Sequence, residues 1–397
     1  MKLGILTLHD SVNYGALAQA YALRHRLSAL GHDAVVVDRR RDPAGRDLRT
    51  PPRFGGTCRT LGLVRVDAHN CEREATVRVE RSRAFLGSRV GLTPFSFREW
   101  SDAPRDLGLD AVVVGSDQVW NANSLDPSFY LLKGAPPALP AIAYAASIGM
   151  PELPADRLGD YRAGLSRFAA IGVRERSAAR LVAGLGFDAK CVADPVLLAG
   201  AEPWRGILGA GGSAGRRVFA YFLAEDFPPM MAALGRFALS RGARVDFFAD
   251  WFSLGRTGGW RRARRNAALL RGWRESGVDL RADAGPEEFV RAIASADVVV
   301  SNSYHALVFS LVFGKEFRMV LPTHPVRRAM NSRIEELAAD FVEGPAVHGT
   351  LESALASLSA GDRCAVRADR LAAYVAASRD WLAASLDLVR RRTPPAA

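Results

Sequence analysis

Leu3-Gly4-Ile5-Leu6-Thr7-Leu8 opens the chain as a short apolar strand, and the residues after it decide what sheet that strand joins. A polar loop, His9–Gly15, leads into Ala16–Leu30, where Ala20, Leu23, Leu27 and Leu30 recur on one helical face. Gly31 supplies a helix stop. Ala34–Val37 then reads as a second strand ending in Asp38. Strand, helix, strand is the βαβ unit that opens a doubly wound parallel sheet.

The same rhythm continues outward. Asp110–Val114, Ala141–Ala145 and Ala169–Val173 read as strands, the last running into a helix that ends near Gly184. A second series follows, with strands at Arg217–Leu223, Arg244–Phe248, Asp297–Val300 and Phe317–Val320. Helical patterns lie between them at Pro228–Arg241, Glu287–Ala294 and Tyr304–Phe313, and another starts at Ser332. Residues 57–100 carry mixed helical patterning, and Arg39–Arg53 reads as a solvated loop. Alternating strands and helices predict an α/β fold with mostly parallel sheets. The 397 residues exceed one ordinary core and suit two Rossmann-like domains. The Gly- and Ala-rich stretch from Asp194 to Gly215 marks their boundary, so residues 1–195 and 196–365 are the expected domains. Residues 366–397 are expected to form a terminal amphipathic helix and tail.

The net charge is +11, and only four of the 53 basic residues are Lys. Arg-rich composition fits either a codon bias or an anionic partner such as phosphate compounds, acidic glycan or a membrane surface. The basic segment Arg256–Arg274 is the candidate for peripheral contact with anionic membrane. Four scattered cysteines, Cys58, Cys71, Cys191 and Cys364, offer no C-x-x-C and no zinc spacing, as expected of a reduced, cytoplasmic chain. The N-terminal apolar run is too short for a signal peptide. The longest uncharged stretch, Gly134–Pro151, is broken by prolines and reads as loop plus strand. No Asp-x-Asp, His-x-x-x-His, P-loop or G-x-G-x-x-G pattern occurs, so no metal and no cofactor is expected. No nucleic-acid partner is expected either.

Four segments place polar residues just beyond strands, where helix N-termini present N–H groups to ligands. The sharpest is Val298-Val299-Val300-Ser301-Asn302-Ser303-Tyr304-His305: an apolar strand gives way to three small polar residues and a helix. Ser301, Asn302 and Ser303 suit an anion or a plain capping turn. His305 suits a general acid or base, or a loop hydrogen bond. Arg174 follows a strand in Gly172-Val173-Arg174-Glu175 and suits either a ligand carboxylate or an ion pair with Glu175. Asn331-Ser332-Arg333 opens another helix with a cap and a cation. Asp117 with Trp120, and His9 with Asn13 and Tyr14, suit sugar contacts or ordinary turn and core roles.

Taken in order, these segments resemble the polysaccharide pyruvyl transferase family. The match runs through Asn13-Tyr14-Gly15-Ala16, Gly115-Ser116-Asp117-Gln118-Val119-Trp120-Asn121, Tyr144-Ala145-Ala146-Ser147, Val173-Arg174-Glu175, Ala193-Asp194-Pro195, Ser301–His305 and Asn331-Ser332-Arg333-Ile334. The resemblance covers about residues 1 to 340. It implies a glycosyltransferase-B-like fold of two Rossmann-like domains facing a cleft. It also implies transfer of the pyruvyl group of phosphoenolpyruvate to a sugar hydroxyl pair, with phosphate released. On that reading His305 is catalytic, and Arg174, Ser301, Asn302, Ser303 and Arg333 bind the donor. Asn13, Tyr14, Gly15, Ser116 and Asp117 bind a sugar or glycan acceptor, lipid-linked acceptors included. Two departures stand out. Ala306 replaces the glycine that the family usually has after the histidine, and Arg327, Arg328 and Arg333 compete for one further basic position. A metal-independent nucleotide-sugar glycosyltransferase and a non-catalytic sugar- or phosphate-binding relative remain the alternatives.

Overall fold

In the computed structural model, residues 1–40, 65–209, 216–223, 227–249, 277–322, 328 and 330–392 are described. Cys58, Arg327, the basic segment Arg256–Arg274 and residues 41–53 of the expected solvated loop lie outside them.

The first sheet grows from the opening βαβ unit: β1 (Lys2–Leu6), α1 (Tyr14–Ala29) and β2 (Asp33–Arg39). Next come α2 (Arg65–Phe85), β3 (Leu92–Phe97), β4 (Ala111–Val114), β5 (Ala141–Ala146), α3 (Leu158–Leu165), β6 (Ile171–Val173), α4 (Arg176–Gly184) and β7 (Lys190–Cys191). Its seven strands run in the order β3-β2-β1-β4-β5-β6-β7, and every pairing is parallel. Ile5 pairs with Val36 on one side and Val113 on the other, so the order reverses beside β1. That reversal is the switch point where open α/β sheets bind ligands. β4 and β5 are buried throughout, as central parallel strands must be. The edge strand β3 was not legible, because Leu92–Phe97 alternates weakly and contains a proline.

The chain crosses over through two short helices, α5 (Pro195–Ala199) and α6 (Arg205–Leu208). The second half contains β8 (Arg216–Phe222), α7 (Phe227–Leu239), β9 (Ala243–Ala249), β10 (Val278–Leu280), α8 (Pro286–Ser295), β11 (Val298–Ser301), α9 (Tyr304–Phe313) and β12 (Glu316–Val320). It ends with α10 (Ser332–Phe341), β13 (Val342–Glu343), β14 (Val347–His348), α11 (Leu351–Ala360), β15 (Ala365–Val366) and α12 (Ala368–Arg392). Six strands form a second parallel sheet, β10-β9-β8-β11-β12-β14, whose order reverses between β8 and β11. The architecture is therefore α/β with two parallel, Rossmann-like sheets, as expected.

The helices between the sheets are buried almost all round, which is why α1 and α9 are so poor in charge. Tyr14 shows how tightly the halves join. Its ring stacks on Phe289 at 4.5 Å, and its hydroxyl donates to the Ala284 carbonyl at 2.9 Å. Tyr21, Trp204 and Phe309 continue the same core, with ring separations of 5.2 and 5.0 Å. α12 returns to the first sheet, where the Ala193 N–H donates to Ser378 Oγ at 2.9 Å. No helix among the described residues is long and apolar enough to cross a membrane.

Candidate active site

The carboxyl ends of β4, β8 and β11 converge on one cavity of about 570 Å³ of empty space, its mouth included. The first half contributes Asn13, Asp117 and Gln118. The second contributes Asn302, Ser303, Tyr304, His305 and Arg333, with Leu223, Pro322, Met330 and Ile334 as apolar wall. Both switch points thus feed the same space.

Local sequence explains each position. Asn13 caps α1, its Oδ1 accepting from the Gly15 and Ala16 N–H groups at 2.9 and 3.3 Å. Ser303 caps α9 through its backbone, and its hydroxyl makes no capping bond. The Ala306 and Leu307 N–H groups donate back to the Ser303 carbonyl at 3.1 and 3.3 Å, and the N-terminal end of α9, with Ser303, Tyr304 and His305, lines the cavity. Asp117 takes a left-handed backbone (φ 65), a conformation aspartate tolerates, in the turn after β4.

His305 is held from two sides. Its ring lies flat against Gly15: a Cβ built on Gly15 would fall 2.1 Å from Nδ1. Its Nε2 stands 3.6 Å from Asp194 Oδ2, beyond hydrogen-bond length but within ion-pair range. Asp194 is wholly buried; its other oxygen accepts from the Val196 N–H at 2.9 Å and so caps α5. Burial alone would raise its carboxyl pKa, but the His305 imidazole, Arg174 and the Val196 N–H outweigh burial and hold it below the ordinary value. The Asp194-Pro195 pair carried the sequence signal of a helix start. Nothing in it revealed that the carboxylate faces His305, because that meeting depends on the second sheet.

Arg174, expected on the donor, lies behind the cavity wall. Its side chain is fully buried and does not line the cavity. It meets Asp194 at 3.2 Å, Asp117 at 3.5 Å and Glu175 at 3.9 Å, and lies 4.4 Å above the Tyr304 ring. Burial opposes its charge, yet Tyr304 and the three carboxylates together raise its pKa above the ordinary value. Arg174 therefore organises acidic groups behind the cavity wall. Glu175 in turn accepts from the Ile148 and Gly149 N–H groups at 3.0 and 3.2 Å.

Among the described residues, Arg333 is the arginine that reaches the cavity. Burial, reinforced by Arg174, pushes its guanidinium down to about 10. It donates to the Met330 carbonyl at 3.4 Å and lies 5.6 Å from the Tyr304 ring centre. Tyr304 itself is pushed well above the ordinary phenol value by burial and Asp194. α10, which carries Arg333, is docked onto α4: Glu336 accepts from the Arg176 and Ser177 N–H groups at 2.7 and 3.2 Å. Arg328 is exposed and does not line the cavity.

Other expected site residues separate. Asn302 lines the cavity, although its amide also brackets the end of β8, accepting from the Leu223 N–H at 2.7 Å. Ser301 is wholly buried, its hydroxyl donating to the Tyr221 carbonyl, so it braces two strands instead of facing a ligand. Ser116 is equally buried and donates to the Ala145 carbonyl at 2.9 Å. Tyr14 belongs to the core between the halves, and Gly15 is covered by the His305 ring; neither lines the cavity. Trp120 is a buried core residue whose indole donates to the Tyr130 carbonyl. His9 bonds within its own neighbourhood, to Thr7 and Asp38. Ala306 packs into the core, so its methyl does not narrow the cavity.

The sequence model for polysaccharide pyruvyl transferase matches residues 13–324, most of the chain. The chain belongs to the polysaccharide pyruvyl transferase family. The matched span carries every polar cavity residue except Asn331 and Arg333. No curated protein matches the chain in sequence. Among solved structures, the UDP complex of MnaA from S. aureus superposes with a TM-score of 0.50 at 9% identity, covering 90% of this chain and 87% of that one. UDP-GlcNAc 2-epimerase from Methanocaldococcus jannaschii superposes with a TM-score of 0.49 at 11% identity, covering 91% and 92%. At such identities the likeness to MnaA speaks for the fold alone.

Proposed function

We propose that this family member transfers the pyruvyl group of phosphoenolpyruvate to two hydroxyls of a sugar, forming a ketal and releasing phosphate. One observation carries the reading: Arg333, His305 and the N-terminus of α9 open onto a single cavity between the halves. Phosphoenolpyruvate presents a carboxylate and a phosphate, and a fork-shaped cation beside a helix N-terminus suits either. The methylene carbon must gain a proton, which makes the adjacent carbon electrophilic. One sugar hydroxyl attacks that carbon and loses its proton. The C–O bond to phosphate breaks, phosphate departs as hydrogen phosphate, and the second hydroxyl adds with loss of its proton. His305 moves protons in these steps, a role supported by its position on the cavity wall with Asp194 3.6 Å behind it. Asn13 and Asp117 are the acceptor-side groups, on residues 1–195. Residues 196–365 supply the donor side, and the helix Ala368–Arg392 braces the first sheet.

The testing experiment follows phosphate release from phosphoenolpyruvate across a panel of sugar acceptors, with Arg333→Gln as control. Release that needs an acceptor and is lost in the control supports the reading. A rise in melting temperature with a nucleotide-sugar, and none with phosphoenolpyruvate, would replace it with glycosyl transfer.

A further inference from the structure

We propose that Gln118 is the positioning residue for Arg333, orienting its fork from across the two halves while leaving its positive charge free for an anionic ligand. The proposal rests on the assignment of Arg333 to the donor anion. It deepens that assignment by saying why the fork is held by an amide.

One terminal atom of the Gln118 amide lies 3.0 Å from Arg333 Nη1 and 3.1 Å from Nη2. A guanidinium has only donors, so we orient the Gln118 amide with its oxygen toward Arg333, accepting from both arms, instead of toward Asn121 Nδ2. The amide nitrogen then faces the Asn121 amide, which must turn its own oxygen toward it to accept. Gln118 follows β4 in the first half and Arg333 opens α10 in the second, so this two-pronged contact fixes the fork across the seam.

The two cavity-side arginines differ in their partners. Arg174 meets three carboxylates, and its charge is spent inside the protein. Arg333 has neutral partners, the Gln118 amide and the Met330 carbonyl, and among the described residues no carboxylate pairs with it. Burial and the nearby Arg174 disfavour its charge more than Glu175, Asp117 and Tyr304 favour it, so an arriving anion relieves an electrostatic cost. Glutamate at position 118 would hold the fork at least as firmly, but would cancel the charge that the ligand needs.

Gln118→Glu and Gln118→Met separate geometry from charge, with Arg333→Gln as reference. Binding of phosphoenolpyruvate and of inorganic phosphate is measured by calorimetry, and melting temperature is recorded for each protein. Gln118→Glu is expected to melt at or above the wild-type temperature yet bind both anions at least about tenfold more weakly, the loss of one charge-assisted contact. Gln118→Met, which keeps the volume but loses the acceptor, is expected to weaken both anions several-fold. A folded Gln118→Glu protein with wild-type affinities overturns the proposal. Should that variant not fold, unchanged affinities in Gln118→Met overturn it. If Arg333→Gln binds both anions like wild type, or wild type binds neither, the donor reading fails and takes this proposal with it. Loss of binding in Arg333→Gln alone leaves the donor reading standing and removes only the role of Gln118.

Discussion

Gly15→Ala tests how the site is assembled, and its two effects have opposite signs. Gly15 lies in the first turn of α1, where alanine favours the helix over glycine by up to about 1 kcal/mol. The new methyl would lie 2.1 Å from His305 Nδ1, 2.5 Å from Cγ and 2.8 Å from Cε1. Ordinary contact begins near 3.4 Å, so the ring must retreat by at least 1.3 Å, the difference between 3.4 and 2.1 Å. Overpacking of this kind costs about 1–3 kcal/mol of stability. A displacement of that size at a reacting group lowers turnover by about 10²-fold, or about 2.7 kcal/mol in barrier. The decisive comparison is a double-mutant cycle. In a His305→Ala background the clash partner is gone, and Gly15→Ala should become neutral or stabilising by up to about 1 kcal/mol. The helix gain is common to both backgrounds and cancels, so the two substitutions should couple by about 1–3 kcal/mol in denaturant unfolding of the four proteins. Additivity within about 0.5 kcal/mol would refute the packing argument whatever reaction the protein performs. Wild-type phosphate release by Gly15→Ala would refute the need for His305 in its present place.

Three further predictions follow the same geometry. His305→Gln keeps the size and hydrogen-bonding ability of the side chain but not its proton shuttle, so turnover should fall about 10²–10⁴-fold with donor affinity and melting temperature little changed; a folded variant of normal activity ends the catalytic assignment. Arg174→Lys keeps the charge but loses the fork among Asp117, Asp194 and Glu175, and should lower stability by about 1.5–3 kcal/mol with little change in KM for phosphoenolpyruvate. A many-fold rise in KM at unchanged melting temperature would instead mean that Arg174 contacts the donor directly. Asp194 is held below the ordinary carboxyl value, so its ionised form contributes stability that is present above the unfolded value and lost as pH falls through the folded one. Asp194→Asn keeps the helix cap, and its melting deficit should be widest near pH 7 and close below about pH 4; a deficit independent of pH contradicts the ion-pair account.

Much of the fold was open to reading because its signals are local. The spacing of Ala20, Leu23 and Leu27 belongs to one helix, and the apolar run of Val298–Val300 to one buried strand. Those periods need no partner to be recognised, and helix α9 lies over Tyr304–Phe313 as the pattern predicts. Short edge elements such as β7 and β14 carry too few residues for a period to show, and β3 alternates too weakly. The site was legible as a set of turns. His305, Asn302, Ser303, Arg333, Asn13 and Asp117 do meet in one cavity.

The sequence alone determined the central strands and most of the helices, that they alternate, and where polar residues break out at strand ends. Only tertiary structure decided which of those residues line the cavity. Arg174 and Arg333 look alike in sequence, each an arginine close to a helix start. Arg174 is turned inward by carboxylates from two other loops, whereas Arg333 is met by an amide 215 positions earlier in the chain. Ser301 and Ser303 stand two residues apart in one turn, yet only Ser303 lines the cavity. The physical reason is that charge and burial are properties of a neighbourhood, and here the neighbours come from both sheets.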